Sequence, residues 1–177
     1  PPACELIGEF HLQQVRANNK ANANNTVAQC SRWIQGEPHS VLVVEFADET
    51  REQVEFRAAA MVDEVKRLGM GYAWPLWFGE EAEKIWVLRR VLGGIQSSRP
   101  GDVKPFDLIE DCALDVNDLP EYVERLEAML TRAGVPFTQS AHAGAGELHT
   151  VVFLNPKTKE GQRLYRSTLE DVSGLVK

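Results

Sequence analysis

The sequence predicts an α+β domain with a mostly antiparallel sheet and helices packed on one face. Short runs rich in β-branched residues alternate with longer stretches whose apolar residues recur at helical spacing. The last two strand-like runs, 135–141 and 148–154, are joined by a glycine-containing segment that is too short for a crossover and suits a hairpin. No strand leads into a glycine-rich turn that opens a helix, which argues against a doubly wound parallel sheet.

The first half of the chain is predicted to contain helices and two strands. Periodicity is weak in residues 5–35, and residues 18–25 include five asparagines, which compete with helical backbone hydrogen bonding. We therefore predict a mobile loop between two short helices. Three elements follow in order: a buried strand at 40–46, an amphipathic helix at 50–68 and a second strand at 72–78.

The second half adds three helices and three strands. Acidic residues in the first turn favour a helix that begins at Glu80, and Pro100-Gly101 marks a turn. Asn117 or Asp118 is a suitable cap for a helix that ends at Arg132. The predicted order is helix 80–95, strand 106–116, the helix that runs from this cap to Arg132, strands 135–141 and 148–154, and helix 156–177. This order predicts a ferredoxin-like topology.

Composition narrows the class of protein. The 177 residues are 44% apolar and 25% charged, which suits one domain with a single core. A net charge of -7 repels phosphate backbones and anionic headgroups, so nucleic acid and membrane surfaces are not expected partners. No apolar run is long enough to span a bilayer. Three widely spaced cysteines fit a cytoplasmic protein, and a start at Pro1 without Met suggests an excised piece.

The segment from His142 to His149 carries the strongest chemical signal. Two imidazoles bracket a glycine turn, which lets both project from one side of a hairpin end. Neutral imidazoles suit zinc, iron or manganese, and Glu147 between them is a candidate oxygen ligand. From spacing alone the alternative is that both histidines are ordinary surface or core residues.

A second candidate site lies on the helix that begins at Glu80. Trp86, Arg89 and Arg90 share one helix face, and a planar guanidinium such as that of Arg89 can hold a carboxylate through two hydrogen bonds. The alternative is a solvated arginine whose aliphatic stem covers Trp86. Lys104, which precedes Pro105, is open to the same two interpretations.

Four segments in order resemble the C-terminal domain of FAD-linked oxidases, the substrate-side half of flavoproteins of the vanillyl-alcohol oxidase type. The family includes D-lactate, glycolate and D-2-hydroxyglutarate dehydrogenases. The segments are Trp86-Val-Leu-Arg89, Lys104-Pro105 with Glu110-Asp111, Leu119-Pro120, and His142-Ala-Gly-Ala-Gly-Glu-Leu-His149. The last of these is most similar to long bacterial members that join an FAD-linked oxidase to an iron–sulfur module. The resemblance covers residues 40–177.

The resemblance implies roles for individual residues. His142 and His149 would bind a divalent metal, with a third ligand from a Glu-His-Gly motif beyond Lys177. Arg89 and Lys104 would bind the substrate's carboxylates. His149 is the expected catalytic base if it is not a metal ligand. Residues 1–39 are then an N-terminal helical and loop segment of the same domain, and residues 40–177 are the substrate-side domain, truncated at its C-terminus.

The implied activity is oxidation of a 2-hydroxy acid, with FAD bound mainly by a partner domain that this chain lacks and with any iron–sulfur cluster elsewhere in the parent protein. The isolated chain is therefore expected to be inactive. A competing hypothesis from another class is a non-catalytic, ferredoxin-like regulatory module that binds a small molecule, since a fold does not fix a function.

Overall fold

A five-stranded antiparallel sheet organises the part of the chain that the computed structural model describes, residues 2–97 and 100–176. Its strands are β1 (Ala3–Ile7), β2 (Val41–Glu45), β3 (Lys104–Ala113), β4 (Phe137–His142) and β5 (Glu147–Leu154). The strand order is β2-β1-β4-β5-β3, and each neighbouring pair is antiparallel. The predicted α+β class and the antiparallel sheet are therefore confirmed.

Six helices accompany the sheet in these residues. They are α1 (Glu9–Ala21), α2 (Thr26–Cys30), α3 (Arg51–Arg67), α4 (Glu80–Ser97), α5 (Leu119–Ala133) and α6 (Lys159–Leu175). Side-chain caps define the N-termini of three helices. Asn25 accepts from the Ala28 amide at α2, Thr50 forms a capping box with Gln53 at α3, and Thr158 accepts from the Gly161 amide at α6. None of the described helices has the length and apolar character needed to cross a bilayer.

The helices form two apolar cores on opposite faces of the sheet. Leu126 and Leu130 of α5 and Val172 of α6 pack in one core with Val152 of β5. The other core joins α1, α2 and α4 to the face of β1 that carries Ile7. Leu6 packs against the first core and Ile7 lies in the second, as expected because successive strand residues point to opposite faces. The prediction that helices pack on one face holds for α5 and α6 but is wrong for α1 and α4.

The segment before residue 40 differs from its prediction. The structure has a strand, β1, between β2 and β4, followed by a helix that continues through Asn18 and Asn19. The two helices are confirmed, but β1 was not predicted, because five residues with a central Glu5 give too short an alternation. The asparagine run ends α1 at its C-cap, Asn22, and caps α2 through Asn25. Asn18 and Asn25 also exchange side-chain hydrogen bonds of 3.0 Å.

The predicted strand at 72–78 is wrong. These residues are irregular in the structure, although their aromatic content favours a strand. Pro75 removes a backbone donor from the middle of the run. The aromatic rings contact cations of α3 instead: Lys66 lies 5.0 Å from the Trp74 ring centroid and Arg51 lies 4.1 Å from that of Phe78.

The other boundaries shift by a few residues. Strand β3 begins at Lys104 rather than residue 106 and ends at Ala113 rather than 116. Helix α6 begins at Lys159, because Thr158 is the capping residue, and it ends at Leu175, where Val176 is the C-cap. The last residue of the predicted helix, Lys177, lies outside the described residues. The hairpin that joins β4 to β5 is confirmed.

Candidate functional site

The hairpin between β4 and β5 needs both of its glycines because the turn packs closely against neighbouring backbone. Gly146 has a left-handed backbone, with φ of 73°, and a Cβ there would lie 2.2 Å from the Leu114 carbonyl oxygen. The Leu114 amide in turn donates to the Gly146 carbonyl at 3.1 Å. A Cβ on Gly144 would lie 3.1 Å from the Cβ of Cys4. The Gly-x-Gly pattern is therefore explained by close backbone approach.

The register of the hairpin places His142 and His149 on one face of the sheet. His142 lies opposite Glu147 and His149 lies opposite Ser140, so both histidines occupy positions of the same parity. Their ring centroids are 4.8 Å apart and the ring planes meet at 82°. The prediction that both imidazoles project to one side of the hairpin is confirmed. Their role as metal ligands stays a prediction.

Glu5 of β1 connects this hairpin to helix α4. Both of its carboxylate oxygens lie 2.8 Å from Nδ1 of His142. Its Oε2 also lies 3.2 Å from Nε and 3.1 Å from Nη2 of Arg89. The Glu5 side chain is 10% exposed, against 22% for Arg89 and 44% for His142. A buried carboxylate thus holds a guanidinium and an imidazole together on one face of the sheet.

The hydrogen-bond donors in this cluster follow from elementary chemistry. A carboxylate accepts hydrogen bonds and an arginine only donates them, so Nδ1 of His142 is a donor. In the neutral form of that ring, Nε2 then carries the lone pair. The guanidinium turns its Nε–Nη2 edge toward Glu5, and Nη1 is not among the atoms that contact this carboxylate. Arg89 therefore has donors on a second edge of its planar fork.

The position of Arg89 on α4 is set by the helix core. Leu88 and Leu92 are buried in the apolar core beneath α4, which fixes the rotation of the helix about its axis. Arg90 is exposed, as expected for a residue about 100° further round the helix. The alternative of a solvated Arg89 does not hold, since its guanidinium is paired with a buried carboxylate.

Lys104 lies apart from these residues. It begins β3 and pairs with Leu154, five positions along β5 from His149, which is roughly 17 Å of strand. Leu154 belongs to the core on the face opposite to that of His149. The structure thus brings Arg89, His142 and His149 to one place without Lys104, whose role in substrate binding stays a prediction.

Sequence reasoning missed Glu5 because the segment before residue 40 gave no motif. One signal was available: an acidic residue directly before Leu6 and Ile7, in a short apolar run, needs a charged partner if the run is buried. The identity of that partner could not be read from the sequence, since His142 is 137 residues away and Arg89 is 84 residues away.

The donor set fits part of a metal site. Two imidazoles lie side by side, and one of them donates its other ring N–H to a carboxylate, which is the usual arrangement of a metal-binding histidine. Residues 2–97 and 100–176, as described, contain no group of three or more His, Cys, Asp or Glu that could hold a metal ion. Any metal would therefore need further ligands from outside these residues.

Cys4 does not extend this donor set. It follows the strand alternation of β1 and so points to the face opposite to Glu5. Burial raises the pKa of its thiol, and the charge of Glu5 raises it further. A raised pKa disfavours the thiolate that binds metals.

The antiparallel α+β domain thus presents a buried carboxylate, a guanidinium and two imidazoles on one face of its sheet. Comparison with known proteins identifies the family. The chain belongs to the family of FAD linked oxidases, C-terminal domain, which it matches over residues 1–177.

Curated relatives include D-2-hydroxyglutarate dehydrogenases from three bacteria. The protein of Pseudomonas putida is 26% identical over 142 residues, 76% of this chain and 14% of the relative. Those of Haemophilus influenzae and Pantoea ananatis are 26% and 30% identical over 94 residues, 53% of this chain and 9% of each relative. The chain therefore spans only about a tenth of the length of these relatives. The family match and these relatives together identify it as an oxidoreductase domain of an FAD-linked family.

Proposed function

We propose that this chain is the substrate-binding cap domain of an FAD-dependent dehydrogenase that oxidises a 2-hydroxy acid of the D-lactate, glycolate or D-2-hydroxyglutarate type. The family membership and the names of the relatives support this proposal. The observation that carries it is the Glu5-centred cluster, which sets a guanidinium beside paired imidazoles on one face of the sheet. A guanidinium recognises a carboxylate, and imidazoles suit the neighbouring hydroxyl.

Each side chain has a defined task in this proposal. Arg89 holds a substrate carboxylate through the donors that do not contact Glu5, and this orients the 2-hydroxyl toward the two imidazoles. His149 accepts the hydroxyl proton if it is not a metal ligand. The acid loses one proton and one hydride equivalent and becomes a 2-oxo acid. When bound, FAD supplies the two-electron acceptor and a divalent metal supplies stabilisation of negative charge on the hydroxyl oxygen.

The wider setting is part of the proposal. The FAD-binding domain is the partner of this chain within a longer protein, in which an iron–sulfur cluster would lie elsewhere, and the protein is cytoplasmic. Lys104 remains a candidate second carboxylate-binding residue, and it would need to reach the substrate from the far end of β5.

The test is a panel of acids given to the protein that joins this chain to its flavin-binding domain. D-2-hydroxyglutarate, D-lactate and glycolate are added anaerobically, and bleaching of the flavin absorbance is followed. We expect at least one to bleach the flavin with stoichiometric formation of the 2-oxo acid. Binding of these acids without flavin bleaching would favour the regulatory module, and no response to any of them would overturn the proposed substrate class.

The isolated chain is expected not to retain FAD. Its Gly144-Ala-Gly146 segment packs against Cys4 and Leu114 and is followed by a strand, so it does not form a phosphate-binding turn before a helix. The measurement is the visible spectrum after incubation with FAD and gel filtration. A yellow protein peak with a flavin spectrum would contradict the prediction.

A further inference from the structure

We propose that Glu5 is a positioning residue of this site, which fixes the tautomer and orientation of the His142 ring and the orientation of the Arg89 guanidinium. Its significance for catalysis rests on the proposed function, but its effect on the two side chains does not. The first strand of the domain would thus determine how a motif more than a hundred residues later presents its ligand atom.

The sheet holds Glu5 in a fixed place. Its strand is paired on one side with β2, where Glu5 lies opposite Val43, and on the other with β4 through Leu6 and Ile7. His142 ends β4, so the carboxylate and the imidazole both project from neighbouring strands of one sheet. A contact between strand residues is more precisely held than one between loops.

The contacts of Glu5 satisfy a buried charge from two directions. A carboxylate that is 10% exposed is costly unless it is paired and hydrogen-bonded. Arg89 supplies the opposite charge through Nε and Nη2, and His142 supplies a further donor at 2.8 Å from both oxygens. An ion pair between β1 and α4 alone would not need the imidazole. The additional contact orients the ring.

The orientation has a chemical consequence. When the His142 ring is neutral and its proton is on Nδ1, the lone pair lies on Nε2, at the other side of the ring from Glu5. The His149 ring lies within 4.8 Å of the same imidazole, centroid to centroid. Glu5 thereby prepares His142 to bind a metal or accept a hydrogen bond through a defined atom, before any ligand arrives.

The variant Glu5→Gln separates positioning from simple packing, because it keeps the size of the side chain. Arg89 can only donate, so it will take the amide oxygen of Gln. The amide NH2 then faces Nδ1 of His142, and two donors in contact are unfavourable. We therefore expect the ring to move its proton to Nε2 in this variant. The control is Glu9→Gln, since Glu9 contacts the exposed His39 at 3.1 Å and lies outside the cluster.

The first measurement is ¹⁵N NMR of the histidine rings of the 177-residue chain, with the four histidines assigned by replacement. We expect the Nδ1–H form of His142 in the unsubstituted protein and in Glu9→Gln, and the Nε2–H form in Glu5→Gln. Exchange of the Arg89 Nε–H with solvent should also become faster in Glu5→Gln. An Nε2–H form of His142 in the unsubstituted protein, or the same His142 tautomer in Glu5→Gln as in the unsubstituted protein, would overturn the proposal. The test on the unsubstituted protein does not depend on the folding of any variant.

The second measurement is zinc binding by calorimetry on the same three proteins. Loss of an orienting partner typically weakens metal binding by about 10- to 100-fold, and we expect a loss of this size in Glu5→Gln alone. If all three proteins bind zinc with equal, measurable affinity, the proposal that Glu5 orients His142 for metal binding would be overturned. A tautomer switch in Glu5→Gln without zinc binding in any of the three proteins would support positioning by Glu5 and count against the metal in the proposed function. Failure of the positioning role can therefore be distinguished from failure of the proposed metal.

Discussion

Arg89→Ala is expected to lower kcat/KM for the hydroxy acid by about 10²-fold or more in the protein that joins this chain to its flavin-binding domain. Removal of a charged clamp from a water-poor site leaves the substrate carboxylate without a partner, which costs on the order of 2 to 5 kcal/mol. The flavin content should not change, since no residue of α4 is proposed to bind FAD. Steady-state kinetics and the flavin-to-protein absorbance ratio measure both quantities.

Arg90→Ala is the matched control, because Arg90 is exposed on the same helix turn. Arg89→Lys is the more informative companion. A lysine keeps a positive charge for Glu5 but lacks the planar fork that binds two carboxylates at once. We expect Arg89→Lys to preserve most of the stability that Arg89→Ala loses and still to show a reduced kcat/KM. Equal kinetic effects at positions 89 and 90, or none at position 89, would show that the assignment of Arg89 is wrong.

The regular part of the fold could be predicted because its residues repeat at the period of their element. In α5, Leu126 and Leu130 are buried one turn apart, and Gly134 ends the helix in a left-handed conformation, as helical spacing and a terminal glycine predict. The β4–β5 hairpin followed from the short, glycine-containing segment between two strand-like runs. Each of these signals lies within a short stretch of consecutive residues, so it can be read directly from the sequence.

The unpredicted part depends on contacts between distant segments. Strand β1 has five residues, and its place between β2 and β4 is decided by pairing with strands that follow much later in the chain. The aromatic run at 72–78 contains strand-forming residues, but it is irregular because its rings contact cations of α3 and Pro75 lacks a backbone donor. Local propensity does not describe such competition.

The candidate site divides in the same way. His142, His149 and Arg89 could be found from motifs, and the structure brings these three residues to one face. Glu5 could not, because its function arises only when β1 lies beside β4 and beneath α4. A motif identifies the residues that touch a ligand more readily than the residue that orients them.

Gly146→Ala is expected to destabilise the chain by roughly 3 kcal/mol or more, the largest stability loss we predict for a single methyl group. The left-handed backbone at Gly146 costs about 1 to 2 kcal/mol for a residue with a Cβ. The added Cβ would also lie 2.2 Å from the Leu114 carbonyl oxygen, so the turn must move and weaken the hydrogen bond between the Leu114 amide and the Gly146 carbonyl. Urea unfolding measures the loss as a shift of the midpoint.

Gly134→Ala separates the two causes. Gly134 has nearly the same backbone conformation, with φ of 67°, but nothing lies within 4 Å of a Cβ built there. We expect this control to lose only the conformational part, about 1 to 2 kcal/mol. Because the turn sets the spacing of His142 and His149, Gly146→Ala should also shift the ¹⁵N signals of both rings, and Gly134→Ala should not. Equal losses of stability in the two variants would show that the contact with Leu114 does not shape the hairpin.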